Sequence, residues 1–126
     1  MEMQTPLAEE HAADDWPWPA SLDAVCAAPD SHCVLLENER VRVLEVTIPA
    51  GHKEPWHTHR RWSLMLVDQC AAIRYFRSEH EFDERPGRLF QSTLPRLEWL
   101  PPEGIHCVEN LDVMQYHALR IELKHD

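Results

Sequence analysis

From His32 onward the chain is written as short runs of Val, Leu and Ile, each cut off by turn residues. Cys33-Val-Leu-Leu36 stops at Glu-Asn-Glu, and Arg40 to Ile48 stops at Pro49-Ala-Gly51. Further runs follow at Trp56 to Arg60, Trp62 to Val67, Ala71 to Arg77, Arg88 to Thr93, Leu97 to Leu100, His106 to Glu109 and Val113 to Leu123. Several short strands at this spacing, with turn chemistry between them, predict an all-β sandwich or barrel. One helix is expected, short, with Ser21 as N-cap ahead of Leu22 to Ala27 and an end near Pro29. The acidic tract Glu79 to Glu84, before Pro86-Gly87, reads as a solvated hairpin loop.

Side chains alternate across a strand, so parity assigns faces. In the last run His117, Leu119, Ile121 and Leu123 share one face, and Ala118, Arg120, Glu122 and Lys124 the other. The apolar set predicts a buried face, with His117 at its end pointing to where a barrel would hold a ligand. By the same logic Ile73 and Tyr75 point inward, and the Tyr75 phenol either meets a substrate or packs as a core tyrosine.

At 126 residues the chain fits one domain. Its 44% hydrophobic and 27% charged content suits a globular fold. The net charge of −10 argues against nucleic acid and anionic membrane surfaces as partners. No apolar run approaches the roughly 20 residues that span a bilayer, and Met-Glu-Met-Gln-Thr-Pro lacks the basic, apolar start of a signal peptide, so a cytoplasmic protein is expected. Four irregularly placed cysteines, Cys26, Cys33, Cys70 and Cys107, read as reduced thiols. Residues 1–24 form an acidic extension broken by prolines, and residues 25–126 the domain. Trp16 and Trp18 either anchor that extension to an apolar surface or belong to a loose tail, and Trp56 and Trp62 read as barrel-edge or dimer contacts.

His57 and His59 lie one residue apart, so on a strand they share a face and can grip one ion; His106 follows far along the chain in Gly104-Ile-His-Cys-Val-Glu-Asn110. With Gly51 before the pair, and with Gly104 and Asn110 around His106, these residues resemble the two motifs of the cupins, small double-stranded β-helix or jelly-roll barrels. The resemblance covers about residues 33–124. It implies a metal held by His57, His59 and His106, and a homodimer. The family's metal-binding glutamate falls at Ser63 or Leu64, its following glycine at Cys70 and the second motif's opening glycine at Pro95 or Arg96, while Pro102-Glu-Gly104 stands too close to His106. The implied site is therefore three neutral imidazoles without a carboxylate. Such a set suits Fe, Ni, Zn, Cu, Co or Mn rather than Mg²⁺ or Ca²⁺.

Glu54, three residues before His57, falls on the opposite face of an extended strand and is not expected to join the ligands. Gln115 and His117, with Tyr75, are the candidates to stand behind the metal or touch substrate. Cys107 points away by alternation, and Asn110 is expected to secure a turn. Three readings follow: a metal-dependent, dioxygenase-like enzyme acting on a small anionic metabolite; a non-catalytic binder of a small ligand with a degenerate metal site; and a metal-free isomerase or epimerase using histidine as base.

Overall fold

A computed structural model describes residues 15–87 and 95–124. Nine strands are seen among them: β1 His32–Glu37, β2 Val41–Ile48, β3 His57–His59, β4 Ser63–Gln69, β5 Ile73–Ser78, β6 Glu81–Arg85, β7 Arg96–Leu100, β8 Glu103–Asn110 and β9 Tyr116–Leu123. They form two antiparallel sheets, a five-stranded one ordered β1-β2-β9-β4-β7 and a four-stranded one ordered β3-β8-β5-β6. The all-β expectation holds. The expected strand from Arg88 to Thr93 lies outside the described residues.

Register layers the interior of the five-stranded sheet. Ile48 faces Tyr116, then Val46, Ala118 and Val67 align, then Leu44, Arg120 and Met65, then Arg42, Glu122 and Ser63. The first two layers, with Ala71 and Ile73, make an apolar core at one end, and the last is polar. Burying apolar side chains contributes about 25 cal/mol per Å² removed from water, so that end anchors the barrel.

The parity expected of the last strand is reversed. Tyr116, Ala118, Arg120 and Glu122 are buried, whereas His117, Leu119, Ile121 and Leu123 face outward. The apolar pattern misled because Arg120 and Glu122 find charged partners inside, which lets polar residues occupy the inner face. Outside, His117 is bracketed by Glu45 at 2.7 Å and Asp68 at 2.6 Å, and Gln115 is exposed. Neither stands behind the site.

The acidic tract is also a strand rather than a loop. In β6, Glu84 pairs with Arg74 and Asp83 lies 2.9 Å from Arg77, both across the β5–β6 hairpin; cross-strand opposite charges stabilise such a pair.

The helical segment is a 3₁₀ turn, Ala20–Leu22, followed by α1, Ala24–Ala27. Its cap is Asp23, which accepts from Val25 N, rather than Ser21. The segment docks on β3: Asp23 bridges Thr58, and the Thr58 hydroxyl donates to Leu22 O at 3.3 Å. Trp18 is the anchor of the extension, since its indole covers Gly104, where an added Cβ would come within 3.0 Å of Trp18 Nε1. Trp16 is half-buried. Gly51 has a φ of 77° in the turn that His52 N closes onto Pro49 O, a conformation that favours glycine. No helix among the described residues is long and apolar enough to cross a membrane.

Asn110 does secure a turn. Its Nδ2 donates to Ile48 O at 2.9 Å and Met114 O at 2.8 Å, and its Oδ1 accepts from Asp112 N at 2.8 Å. Each bond contributes about 0.5–1.5 kcal/mol, and the carbonyls stranded in the interior add to the cost of losing it. Asn110→Ala is expected to lower stability by about 2–4 kcal/mol in a denaturant titration; a loss under half a kcal/mol would mean that the turn holds itself.

Candidate metal centre

Four imidazoles meet in the polar part of the interior. The His57 ring centroid lies 4.4 Å from that of His106 and 5.1 Å from that of His59, and His59 lies 5.4 Å from His106. His32, which the sequence reading missed, opens β1 and stands 4.7 Å from His57 and 5.2 Å from His59. All four are buried.

Each ring has its Nδ1 against an oxygen: Pro55 O at 2.8 Å for His57, Gly104 O at 2.7 Å for His106, Ala28 O at 3.1 Å for His32 and Glu122 Oε2 at 3.4 Å for His59. A carbonyl or carboxylate oxygen only accepts, and the Ser31 hydroxyl 3.0 Å from His32 Nδ1 has Glu54 Oε1 to donate to, so the proton of each neutral ring belongs on Nδ1 and the lone pair on Nε2. The rings are held neutral. Burial lowers His57 to about 2 and His32 to about 4, and it pushes His59 and His106 below the ordinary histidine value as well.

The donor atoms fall into two groups, each with its ligand atoms within 4.8 Å of one another: His32, His57 and His59, and His59, Glu103 and His106. His59 belongs to both. The three histidines expected from the motifs are thus brought into one cluster but divided between two overlapping groups, and the expected lack of a carboxylate is corrected by Glu103.

Glu103 arrives through a bulge. His57 is in register with His106, yet His59 pairs with Glu103, so three steps on β8 answer two on β3. Bulges of this kind re-aim side chains next to functional sites. Without it, Glu103 and His106 would point to opposite faces. The short Pro-Glu-Gly to His106 interval was the signal in the sequence. Tyr75, inward as expected, donates to Glu103 Oε2 at 2.9 Å and stacks on His106 with centroids 5.0 Å apart.

At the position where the resemblance placed a glutamate, Ser63 is fully buried and its hydroxyl accepts from Arg120 Nε at 3.1 Å. Arg120 Nη2 then lies 2.8 Å from Glu103 Oε1 in a buried ion pair. Burial would raise the Glu103 carboxyl, and the Arg120 charge overcomes it and holds the group below the usual carboxylate range. An ionised carboxylate within 4.8 Å of the donor atoms of two imidazoles is a donor set that fits a divalent transition ion.

Glu54 also enters, with Oε2 3.5 Å from His57 Nε2 and Oε1 accepting from Ser31 Oγ at 3.0 Å. It precedes β3 across Pro55, where the backbone is not strand, so strand parity does not apply. Burial raises its pKa to about 8. Cys107 is buried beside the site but does not line its cavity, and burial lifts its thiol to about 11. The cavity has a volume of about 90 Å³; besides the histidines its wall includes Arg85, Glu98, Arg120 and the core residues Val46, Ile48 and Met65.

Solved structures share this architecture. The chain resembles a cupin domain from Bordetella pertussis at 22% identity and a TM-score of 0.61, over 75% of this chain and 92% of that one. An RmlC-like cupin with a double-stranded β-helix fold from Methanocaldococcus jannaschii matches at 12% identity and a TM-score of 0.54, over 75% and 79%. The chain has the cupin fold. A double-stranded β-helix protein from Klebsiella pneumoniae matches over 89% of this chain and 86% of that one, at 12% identity and a TM-score of 0.54. The sequence matches no family model and no curated protein.

The depressed histidines and the raised Glu54 act on stability in opposite directions. A histidine whose pKa is lower folded than unfolded favours the fold fully only above about 6.5, and that contribution is lost as pH falls towards its folded value. Glu54, raised to about 8, favours the fold below its unfolded value near 4.5 and loses that contribution as pH rises through about 8. Four histidines outweigh one glutamate on the acid side. Thermal melts of the chelator-treated protein should therefore show a falling Tm from pH 6.5 to 4.5, and Glu54→Gln should flatten the decline between pH 6.5 and 8.5; a profile unchanged by that substitution refutes the assignment.

Proposed function

We propose that this cupin binds a divalent transition ion at a centre organised on His59, with donors drawn from His32, His57, His106 and Glu103, and acts there on a small anionic metabolite. The observation that carries this reading is the commitment of all four Nδ1 atoms to oxygen acceptors, which leaves four Nε2 lone pairs in one buried cavity. Once bound, the ion would supply Lewis-acid or redox chemistry of the dioxygenase kind.

The protein's own residues supply the rest. Glu122 orients His59 while its other oxygen accepts from Arg42 Nε at 2.6 Å. Tyr75 fixes Glu103 by its second oxygen. Arg85 and Arg120 line the cavity and give its wall positive charge that suits a carboxylate or similar anion. Glu54, protonated near neutrality, is a buried proton donor at the cavity wall. The cavity is small beside the roughly 300–1,000 Å³ of pockets that take drug-sized ligands, which favours a metabolite of few heavy atoms. The metal-free isomerase reading is weaker, because histidines lowered to about 2 and about 4 are poor bases while their unprotonated nitrogens are good ligands.

Chelator-treated protein titrated with Fe²⁺, Ni²⁺, Zn²⁺, Cu²⁺, Co²⁺ and Mn²⁺ should take up at least one ion stoichiometrically by calorimetry and elemental analysis. His59→Ala should abolish binding, and Glu122→Gln should weaken it about 10–100-fold by disturbing the ring's orientation. Wild-type affinity in His59→Ala would end the proposal.

A further inference from the structure

His59 is the member that both donor groups share, and it cannot serve both. Its Nδ1 is turned to Glu122, so the ring offers one lone pair, on Nε2, to one ion at a time. The two groups are rival seats at one cavity, whose wall carries all five donor residues. They differ in their place in the fold. His32 opens β1 at the edge of the five-stranded sheet while His57 and His59 belong to β3, an edge of the other sheet, so the first seat joins the two sheets. His59, Glu103 and His106 stand on β3 and β8, paired neighbours within one sheet.

The donor atoms differ as well. The first seat is three buried neutral nitrogens, whereas the second is two nitrogens and an anionic oxygen on a half-buried side chain. Imidazole nitrogen suits Cu²⁺, Zn²⁺ and Ni²⁺, carboxylate oxygen suits Mn²⁺, and two histidines with one carboxylate are the set that non-haem Fe²⁺ takes. Mn²⁺ and Fe²⁺ stand lowest in the affinity order for nitrogen-containing sites, so they gain most from the added negative charge.

We propose, resting on the metal-binding function inferred for this cluster, that it holds one ion in either of two seats: Cu²⁺, Zn²⁺ and Ni²⁺ on His32, His57 and His59, and Mn²⁺ and Fe²⁺ on His59, Glu103 and His106. Occupation of one seat closes the other, because the His59 nitrogen is already engaged. An ion in the nitrogen seat ties β1 to β3, and an ion in the carboxylate seat makes no contact with β1. His32 is thus the residue that sets which ions the protein takes on nitrogen alone.

The test uses the chelator-treated full chain and the metal ions alone. Bound Cu²⁺ should show three nitrogens in the hyperfine structure of its electron paramagnetic resonance spectrum, and two in His32→Ala. Loss of a group behind a ligand already weakens binding about 10–100-fold, so by calorimetry His32→Ala should weaken Cu²⁺ and Zn²⁺ about tenfold or more while leaving Mn²⁺ within about twofold, and Glu103→Gln should do the reverse. Each variant's normal binding of the other ion shows that it is folded. Zn²⁺ added to the Mn²⁺-loaded protein should release the Mn²⁺ and leave one ion per chain. If the two substitutions do not separate the ions, or if two ions are bound at once, the proposal is overturned while metal binding stands. Failure of every ion to bind the wild type overturns the metal-binding function itself, and the two seats with it.

Discussion

Glu122 is fully buried between two cationic or hydrogen-bonding neighbours, Arg42 at 2.6 Å and the His59 ring at 3.4 Å, and Asp23 holds the far side of Arg42 at 3.0 Å. The chain of contacts runs from the helical segment through β2 and β9 to β3. A buried ion pair contributes little net stability, because desolvating the two charges offsets most of their attraction, and apolar residues of similar size would serve folding as well. What the pair supplies is orientation. It fixes the ring of the one histidine that both donor groups share, and it ties the docking of α1 on β3 to the geometry of the site.

The same economy explains Ser63. A glutamate there would stand beside Arg120 and Glu103 in a closed space and crowd a second carboxylate against the first. The serine leaves room for Arg120, whose charge lowers the Glu103 carboxyl despite its burial. The carboxylate beside the imidazoles stands on β8, and the β3–β8 bulge aims it.

Much of this was legible in the chain. Turn residues between short apolar runs marked most of the strands, and His57, His59 and His106 stood out by spacing. The remainder depended on long-range context. His32 is one histidine at the start of a strand, and nothing local says that β1 leads it to β3. Glu103 was hidden by a bulge, since alternation in an unbroken strand sends it away from His106. Glu54 was hidden by applying strand parity to a segment that is not strand. In β6 the charges read as solvent-facing loop because their arginine partners sit on another strand.

The reversal of β9 has one cause in common with these. Alternation identifies two faces but does not say which is inside; that choice rests on the assumption that the apolar face meets the core. The assumption fails when the core holds a polar cluster whose charges are paired inside. Ala118 packs in the apolar layer, Arg120 and Glu122 build the centre, and Leu119 and Ile121 are left on the surface. A strand with apolar residues outside and paired charges inside inverts the usual pattern, and here the inversion follows from the charged partners that Arg120 and Glu122 find in the interior. The buried charges and the exposed leucines are therefore two consequences of one arrangement, in which β9 gives its inner face to the imidazole cluster and leaves its apolar side chains outside.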